Sequence, residues 1–480
     1  MKSPILGSAY VARSVNAADN RMVNLFPEIV PEGGKEPAFL QRAPGLSFLQ
    51  SVGTGPIRGL WVRQSTGTAF YVASGNEFYK LESLTATPQL LGVINGTGPV
   101  SIADNGIQIF IACNPSGFIY NADTGAFGPI TDPDFPGAVT VAYLDGYFVF
   151  NEPDTQKIWV TTLLDGTSID PLEFASAEGS PDGVVSVFAD HRELWVFGTN
   201  TTEVWYNSGN LDFPLDRIQG AFNELGCASP YSVTKMDNQI YWLGQDARGQ
   251  GMVYRASGYI GQRISTHAIE WQIQQYANTS DATGYTYQQD GHSFYVLNFP
   301  SANTTWVFDV ATGAWHERAA FANGVFNRHR ANNMCNFQSN IVVGDYENGN
   351  LYTFDLDVYA DNGQPQKWLR SWRALPTGAN TLTRTIQHSM QLDCETGVGL
   401  NTGQGSNSEV MLRWSDDGGH TWSNEHWKSM GTIGQYGKRT IWRRLGATMK
   451  IRDRVYEVSG SDPVRVYIMG AELLLSGTRA

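Results

Sequence analysis

The chain has 480 residues, enough to bury a large core, and 12% aromatics and 51 glycines beside only 16% charged residues read as a turn-rich, all-β protein. A net charge of −13 favours solubility and excludes a nucleic-acid binder that uses its whole surface, so any DNA contact must be local. Cys113, Cys227, Cys335 and Cys394 stand far apart, without the paired spacing of a zinc site or the density of a disulfide scaffold, and no long apolar run marks a membrane span. No cofactor, metal or stable membrane insertion is expected. The first twenty residues lack an apolar signal segment, so synthesis in the cytoplasm is expected as well.

Residues 1–60 read as an arm without a repeat, rich in proline and glycine. Within it Asn24-Leu-Phe-Pro-Glu and Arg42-Ala-Pro-Gly are extended, because a residue ahead of proline is pushed out of the helical region. From Gly67 onward pairs of short apolar runs recur around polar turns such as Ser74-Gly-Asn, Asn114-Pro-Ser and Glu152-Pro-Asp. The clearest unit is 193–209, Glu-Leu-Trp-Val-Phe-Gly-Thr-Asn-Thr-Thr-Glu-Val-Trp-Tyr-Asn-Ser-Gly, a hairpin with a four- or five-residue loop. Second strands fall near Phe78, Ile119, Ile158, Val204, Val253, Trp306 and Leu351, in steps of about 40 to 53 residues, the period of propeller blades. Tyr120-Asn-Ala-Asp-Thr-Gly-Ala-Phe and Phe308-Asp-Val-Ala-Thr-Gly-Ala-Trp share one strand–turn–strand grammar across this region. The pattern predicts a β-propeller over 61–362 with about seven hairpin blades, six or eight being open alternatives. One or two short helices are allowed, the best at 266–276. The spacing breaks after Asp361, and 363–480 reads as a β-rich platform with strands near 383–392, 409–415, 439–445 and 464–475, to which the arm is expected to contribute.

Two motifs lie in the platform. Ser415-Asp-Asp-Gly-Gly-His-Thr-Trp matches the Asp-box pattern, with Ser415, Asp417, Gly419, Thr421 and Trp422 in its places. Asp417 is expected to accept from turn amides while Trp422 packs beneath, a hairpin stabiliser and not a catalytic device. Between 438 and 454 seven basic residues, Lys438, Arg439, Arg443, Arg444, Lys450, Arg452 and Arg454, meet one acid, Asp453. With −13 overall and +6 here, the rest of the chain carries −19, an asymmetry expected of an interaction surface or of a solvated strand pair. On a strand Arg439, Ile441 and Arg443 share one face, and Thr440, Trp442 and Arg444 the other, so Trp442 either packs inward or anchors a partner.

No enzyme motif emerges: the histidines lack His-Glu-x-x-His spacing, no Gly-x-Ser-x-Gly is present, and Asp132, Asp134, Asp355, Asp357 and Asp361 fit turns better than calcium loops. The Asp-box and the aromatics Trp159, Trp205 and Trp306, taken as exposed, leave a glycan-binding or sialidase-like propeller as the alternative. Arg42-Ala-Pro-Gly-Leu, Pro56-Ile-Arg-Gly, Phe197-Gly-Thr-Asn-Thr-Thr-Glu-Val-Trp-Tyr-Asn-Ser-Gly and Tyr436-Gly-Lys-Arg-Thr-Ile-Trp-Arg-Arg-Leu-Gly resemble the packaged-DNA stabilisation proteins of short-tailed phages, the tail hub or nozzle family. The resemblance implies a non-enzymatic virion tail protein that forms a hexameric ring under the portal and adaptor. Such a ring extends and helps close the DNA channel, retains packaged DNA, and docks tail fibres, spikes or a plug. Lys438, Arg439, Trp442, Arg443, Arg444, Lys450, Arg452 and Arg454 are the expected contact with the adaptor or, second, with DNA.

Overall fold

The structure is a computed structural model and describes all residues except 64–66, 178, 180–181, 246–247, 250, 380–382, 450–452 and 478–480. The 193–209 unit folds as Glu193–Gly198 antiparallel to Thr202–Asn207. Alternate side chains of a strand point to opposite faces, and here both faces are apolar. Leu194, Val196 and Trp205 enter a core with Val149 and Val160 of the preceding unit, whereas Trp195, Phe197 and Val204 enter a second core with Ile240 and Trp242 of the next. A hairpin buried on both sides must be sandwiched between two like itself, and that requirement builds a ring.

Among the described residues seven such sheets follow one another, spanning 57–93, 101–129, 141–176, 184–223, 226–263, 283–317 and 331–355. Their first strands stand side by side around a centre, and the ring closes where Ala331–Phe337 meets Ile57–Val62. The fold is therefore a seven-bladed β-propeller. The shared grammar noted above is visible in the turns: Asn121 Oδ1 accepts from the amides of Asp123 and Thr124 at 3.0 Å each, and Asp309 Oδ1 from the amide of Ala311 at 3.1 Å. Gly125 and Gly313 follow at φ 73° and 65°, conformations that a side chain disfavours. The short helix falls at His267–Gln274, inside the expected window.

The arm contributes to the propeller as well as to the platform. Gly45–Ser51 pairs with Asn350–Asp355 as the fourth strand of the seventh blade, and Ile57–Val62 is the inner strand of the first, so an arm boundary at residue 60 falls inside the ring. Long-range pairing of this kind leaves no periodic trace in the sequence. At Gly45 a Cβ would stand 2.4 Å from the Val358 carbonyl oxygen, so the close approach of the closing strand requires glycine there.

Upstream, Met22–Val23 joins two bodies. Val23 pairs in parallel with Glu317 of the sixth blade and antiparallel with Leu369, so that one nine-stranded sheet runs from Thr283–Gln289 out to His426–Thr432. Its far half packs against a six-stranded sheet containing Leu25–Ile29, Ala38–Arg42, Thr385–Cys394, Thr440–Arg443 and Tyr467–Gly477. Trp368, Trp372, Leu412 and Tyr456 meet Met390, Leu392, Trp442 and Ile468 in the shared core, the packing of a β-sandwich. Buried polar groups hold the seam. Asn24, at φ 53°, donates to the carbonyls of Ala319 and Lys367 at 2.8 Å each and accepts from the Ala319 amide. The Arg42 guanidinium, 2% exposed, donates to the carbonyls of Asp462, Val464, Tyr359 and Gln366 at 2.7, 2.8, 3.1 and 2.6 Å.

Replacing Arg42 by Met strands those four carbonyls and is expected to lower the unfolding free energy by about 3 kcal/mol. A urea midpoint equal to that of the wild type would show that the carbonyls find other donors. A second dependence follows from His292, whose ring nitrogens meet Asp309 at 2.9 Å and Glu28 of the arm at 2.5 Å. Burial pushes its pKa down, but the hydrogen bonds to Asp309 and Glu28 outweigh burial and raise it to about 9. The contribution is complete below the unfolded value of about 6.5 and is lost as pH rises through about 9. The thermal midpoint is thus expected to fall across this window in the wild type and to fall less in His292→Gln; parallel profiles would remove the assignment.

Candidate functional site

The Asp-box closes the turn after Asn407–Ser415, at the rim of the sandwich. Asp417 Oδ1 accepts from the amides of His420 and Thr421 at 3.0 and 2.8 Å and from Ser415 Oγ at 2.6 Å, and Oδ2 accepts from Thr421 Oγ1 at 2.6 Å. The Ser415 and Thr421 hydroxyls, with the Thr421 amide, hold its carboxyl well below the usual range. Trp422 folds back to donate to the Gly419 carbonyl at 3.1 Å, under the Arg413 guanidinium 4.7 Å from its ring. Gly418 and Gly419, at φ 79° and 104°, face the arm: a Cβ would stand 1.8 Å from Asn16 Oδ1 at the first and 2.5 Å from Asp19 Oδ2 at the second. Ser415, Asp417 and Thr421 bond within the turn while Gly418 and Gly419 lie against Asn16 and Asp19, so the box is a turn that seats the segment around residues 16–19.

The basic stripe separates into three groups. Lys438, Arg439, Arg443 and Arg444 are exposed, with Arg439 Nη2 donating to Gln391 Oε1 at 2.6 Å. Trp442 and Arg454 are not on the surface. The Trp442 indole is 2% exposed and donates to the His426 carbonyl at 2.7 Å, so it packs inward and is unavailable as an interface anchor. Arg454 is gripped by Asp416 at 2.7 and 2.8 Å and donates to the Leu445 carbonyl at 2.8 Å, a buried brace where a surface cation was expected. Lys450 and Arg452 lie outside the described residues. The expected face-sharing of Trp442 and Arg444 also ends early, because Arg444 takes φ 61° and leaves the strand.

Two residues escaped the sequence reading. Trp427, 54% exposed, and Lys428, also exposed, stand on the neighbouring strand His426–Thr432 and extend the cationic flank. The only signal was an aromatic beside His and Lys in a region where no strand was expected. Conversely Trp159, Trp205 and Trp306 are 6, 5 and 4% exposed, packed between blades, and offer no face to a sugar.

The propeller centre holds a cavity of about 740 Å³. Its charged lining is largely self-paired: Arg192 meets Asp145 at 3.0 Å, Lys235 meets Asp190, and the Trp61 indole donates to Asp104 at 2.7 Å. Asp132 and Asp355 accept turn amides two residues on, at 3.0 and 2.8 Å. Among the described residues no three His, Cys, Asp or Glu side chains are grouped to hold a metal ion, and no helix is long and apolar enough to cross a membrane. All four cysteines are buried and free, with burial raising each thiol pKa.

Fold and surface together define an all-β protein in which a seven-bladed propeller is welded to a β-sandwich that carries an exposed cationic flank. Two family models match, bacteriophage P22 Gp10 β-propeller over residues 1–359 and bacteriophage P22 Gp10 β-sandwich over residues 367–475. The chain belongs to the bacteriophage P22 Gp10 family, podovirus DNA-stabilisation and tail hub proteins, and is a structural protein of a phage tail. No curated protein sequence matches it. Among solved structures the N-terminal domain of Nup159 is similar at 10% identity and TM-score 0.41, covering 68% of this chain and 98% of that one. The computationally designed Ika8 protein is similar at 13% identity and TM-score 0.38, over 70% and 99%. A chain of the mitotic checkpoint complex is similar at 10% identity and TM-score 0.43, over 68% and 97%.

Replacing Asp417 by Ala leaves two turn amides and two hydroxyls without their acceptor and is expected to lower stability by about 1 to 3 kcal/mol. The same variant is expected to become accessible to proteolysis near residues 16–19, where the box meets the arm. Unchanged stability and an unchanged cleavage pattern would show that the turn does not hold the arm.

Proposed function

We propose that this chain assembles as a hexameric ring below the portal and adaptor of a short-tailed phage, extending the DNA channel and helping to retain packaged DNA. The ring offers docking surfaces for tail fibres, spikes or a plug, and the protein enters the virion tail after synthesis in the host cytoplasm. The observation that carries the reading is the match to one tail-hub family over both bodies of the chain. The fold supports it physically: strands buried on both faces, a ring closed by its own first segment, and a sandwich welded on by a shared sheet make a stiff element.

In this reading the exposed cations Lys438, Arg439, Arg443 and Arg444 face the adaptor, with DNA as the second choice. An anionic chain that gathers positive charge on one flank has a built-in orientation toward a negative surface. The role needs no chemistry at Asp132 and Asp355, whose oxygens are occupied in turns. The glycan-binding alternative loses its support, since its sugar-stacking aromatics are core residues.

Electron microscopy of the purified chain mixed with portal–adaptor complexes tests the reading: six-fold rings on the adaptor are expected, and a chain that stays monomeric and unattached would sink it. Reversing Arg439, Arg443 and Arg444 to Glu is expected to weaken attachment by about tenfold or more at low salt, with the difference shrinking as salt screens the encounter.

A further inference from the structure

His426–Thr432 ends the nine-stranded sheet and Thr440–Arg443 ends the six-stranded one, so both sheets of the sandwich finish on the same flank. The two strands touch where the Trp442 indole donates to the His426 carbonyl. Beside that contact lies a groove of about 300 Å³ lined by His426, Trp427, Lys428, Ile441, Arg443 and Arg444. Its floor is rigid, because Trp442 is buried and the His426 ring stacks on Trp414 at 4.8 Å and 14°. Its rim is cationic. Among the described residues no carboxylate pairs with Lys428, Arg443 or Arg444; the neighbouring Asp416 is held by Arg454, and Glu425 reaches toward Lys367 at 4.0 Å.

The outer edge of His426–Thr432 also has backbone to offer. Trp414 turns its N–H and C=O toward Ser423 and Glu409 its N–H toward Asp462, so Val410 and Leu412 face His426–Thr432 and take up Lys428 and His426, which leaves the outward-facing peptide groups on 427 and 429. Trp427 and Ser429 turn their own N–H and C=O outward, whereas the Lys428 peptide groups face Val410. An edge strand in this state is a template for a further extended chain.

We infer that this groove binds an extended acidic segment of a partner protein. The segment lies along the edge of His426–Thr432, bonds the Trp427 and Ser429 peptide groups, sets an apolar side chain on Trp427 and places carboxylates on Lys428, Arg443 and Arg444. Charge selects the occupant. The chain as a whole carries −13 and repels an acidic segment elsewhere, while the groove presents cations free to pair. Guanidinium groups take carboxylates in bidentate geometry, and an exposed Trp beside Arg is the composition of an interface hot spot. Nucleic acid is less well matched, because phosphate contacts make no use of a free strand edge. The inference deepens the adaptor-docking reading above and rests on it for the partner's identity, but it concerns the chemistry of one groove and is tested on the full-length chain alone.

The probe is a fluorescent peptide of about ten residues alternating Glu with Val and Thr, an extended acidic segment of the kind that adds to a sheet edge. Its Gln counterpart and a single-stranded DNA of similar length serve as competitors. The Glu peptide is expected to bind, and to lose about tenfold or more in affinity in Arg443→Glu/Arg444→Glu, in Trp427→Ala and at high salt. Thermal midpoints and far-ultraviolet spectra equal to wild type certify that the variants are folded. No binding of the Glu peptide, equal binding of the Gln peptide, or affinity unchanged in both folded variants would overturn the inference. DNA that binds through the same residues more tightly than the peptide would overturn it in favour of a nucleic-acid surface, and self-association abolished by the Arg443→Glu/Arg444→Glu change would overturn it in favour of a second copy of this chain. Peptide binding without ring attachment to the adaptor would sink the hub reading alone; attachment without peptide binding would sink only this one.

Discussion

The ring depends on how its two ends meet. Six of the seven interblade cores are built by hairpins that follow each other in the chain, but the seventh, between Val342 and Leu351 on one side and Phe70 and Val72 on the other, joins the last blade to the first. It persists because Gly45–Ser51 lies on Asn350–Asp355 and carries the chain directly into Ile57–Val62. Bringing such distant segments together costs loop-closure entropy, which grows only slowly with length and is offset by a whole strand of hydrogen bonds and the buried cores on either side. The same arm then supplies Met22–Val23 to the shared sheet and Arg42 to the sandwich seam, so closure of the ring and attachment of the sandwich are one event in space.

Much of the charge that composition reports is hidden. Arg42, Arg318, Arg370 and Arg454 are 1 to 2% exposed, and Arg318 stands 5.2, 5.0 and 5.8 Å from the rings of Tyr287, Phe294 and Phe354 between the sixth and seventh blades. A delocalised guanidinium tolerates such surroundings because aromatic faces and carbonyls share its charge. The consequence for the interaction surface is selective: Arg454 drops out of the stripe, Lys428 joins it from another strand, and what remains exposed is concentrated on the sandwich flank.

The blades were legible because the local rule was complete in each: two apolar runs, a turn with Asn, Asp or Gly, and a repeat distance. Asn121 and Asp309 show it, making equivalent turn bonds far apart in the chain. The Asp-box was legible for the same reason, all its bonds lying within eight residues. What local grammar could not show was pairing across the chain. Gly45–Ser51 read as part of an arm, Trp159, Trp205 and Trp306 read as surface because a strand buried on both faces breaks the usual in–out alternation, and the strands Trp368–Arg373, His426–Thr432 and Val455–Gly460 went unnoticed. Missing His426–Thr432 meant missing Trp427 and Lys428, the residues that turn a basic stripe into one wall of a groove.

The closing strand also sets a timetable. Gly45–Ser51 leaves the ribosome early, but its partner Asn350–Asp355 is made some three hundred residues later, so the seventh blade cannot form until most of the chain has emerged. During that interval six blades can stack while the open ring presents two unmatched apolar faces, and Gly45–Ser51 has no strand to pair with. The sandwich sheets wait on the same arm. A nascent chain of this design therefore completes its sandwich last, after the propeller has closed, and a truncated product stopped before residue 350 has neither a sealed ring nor a sandwich.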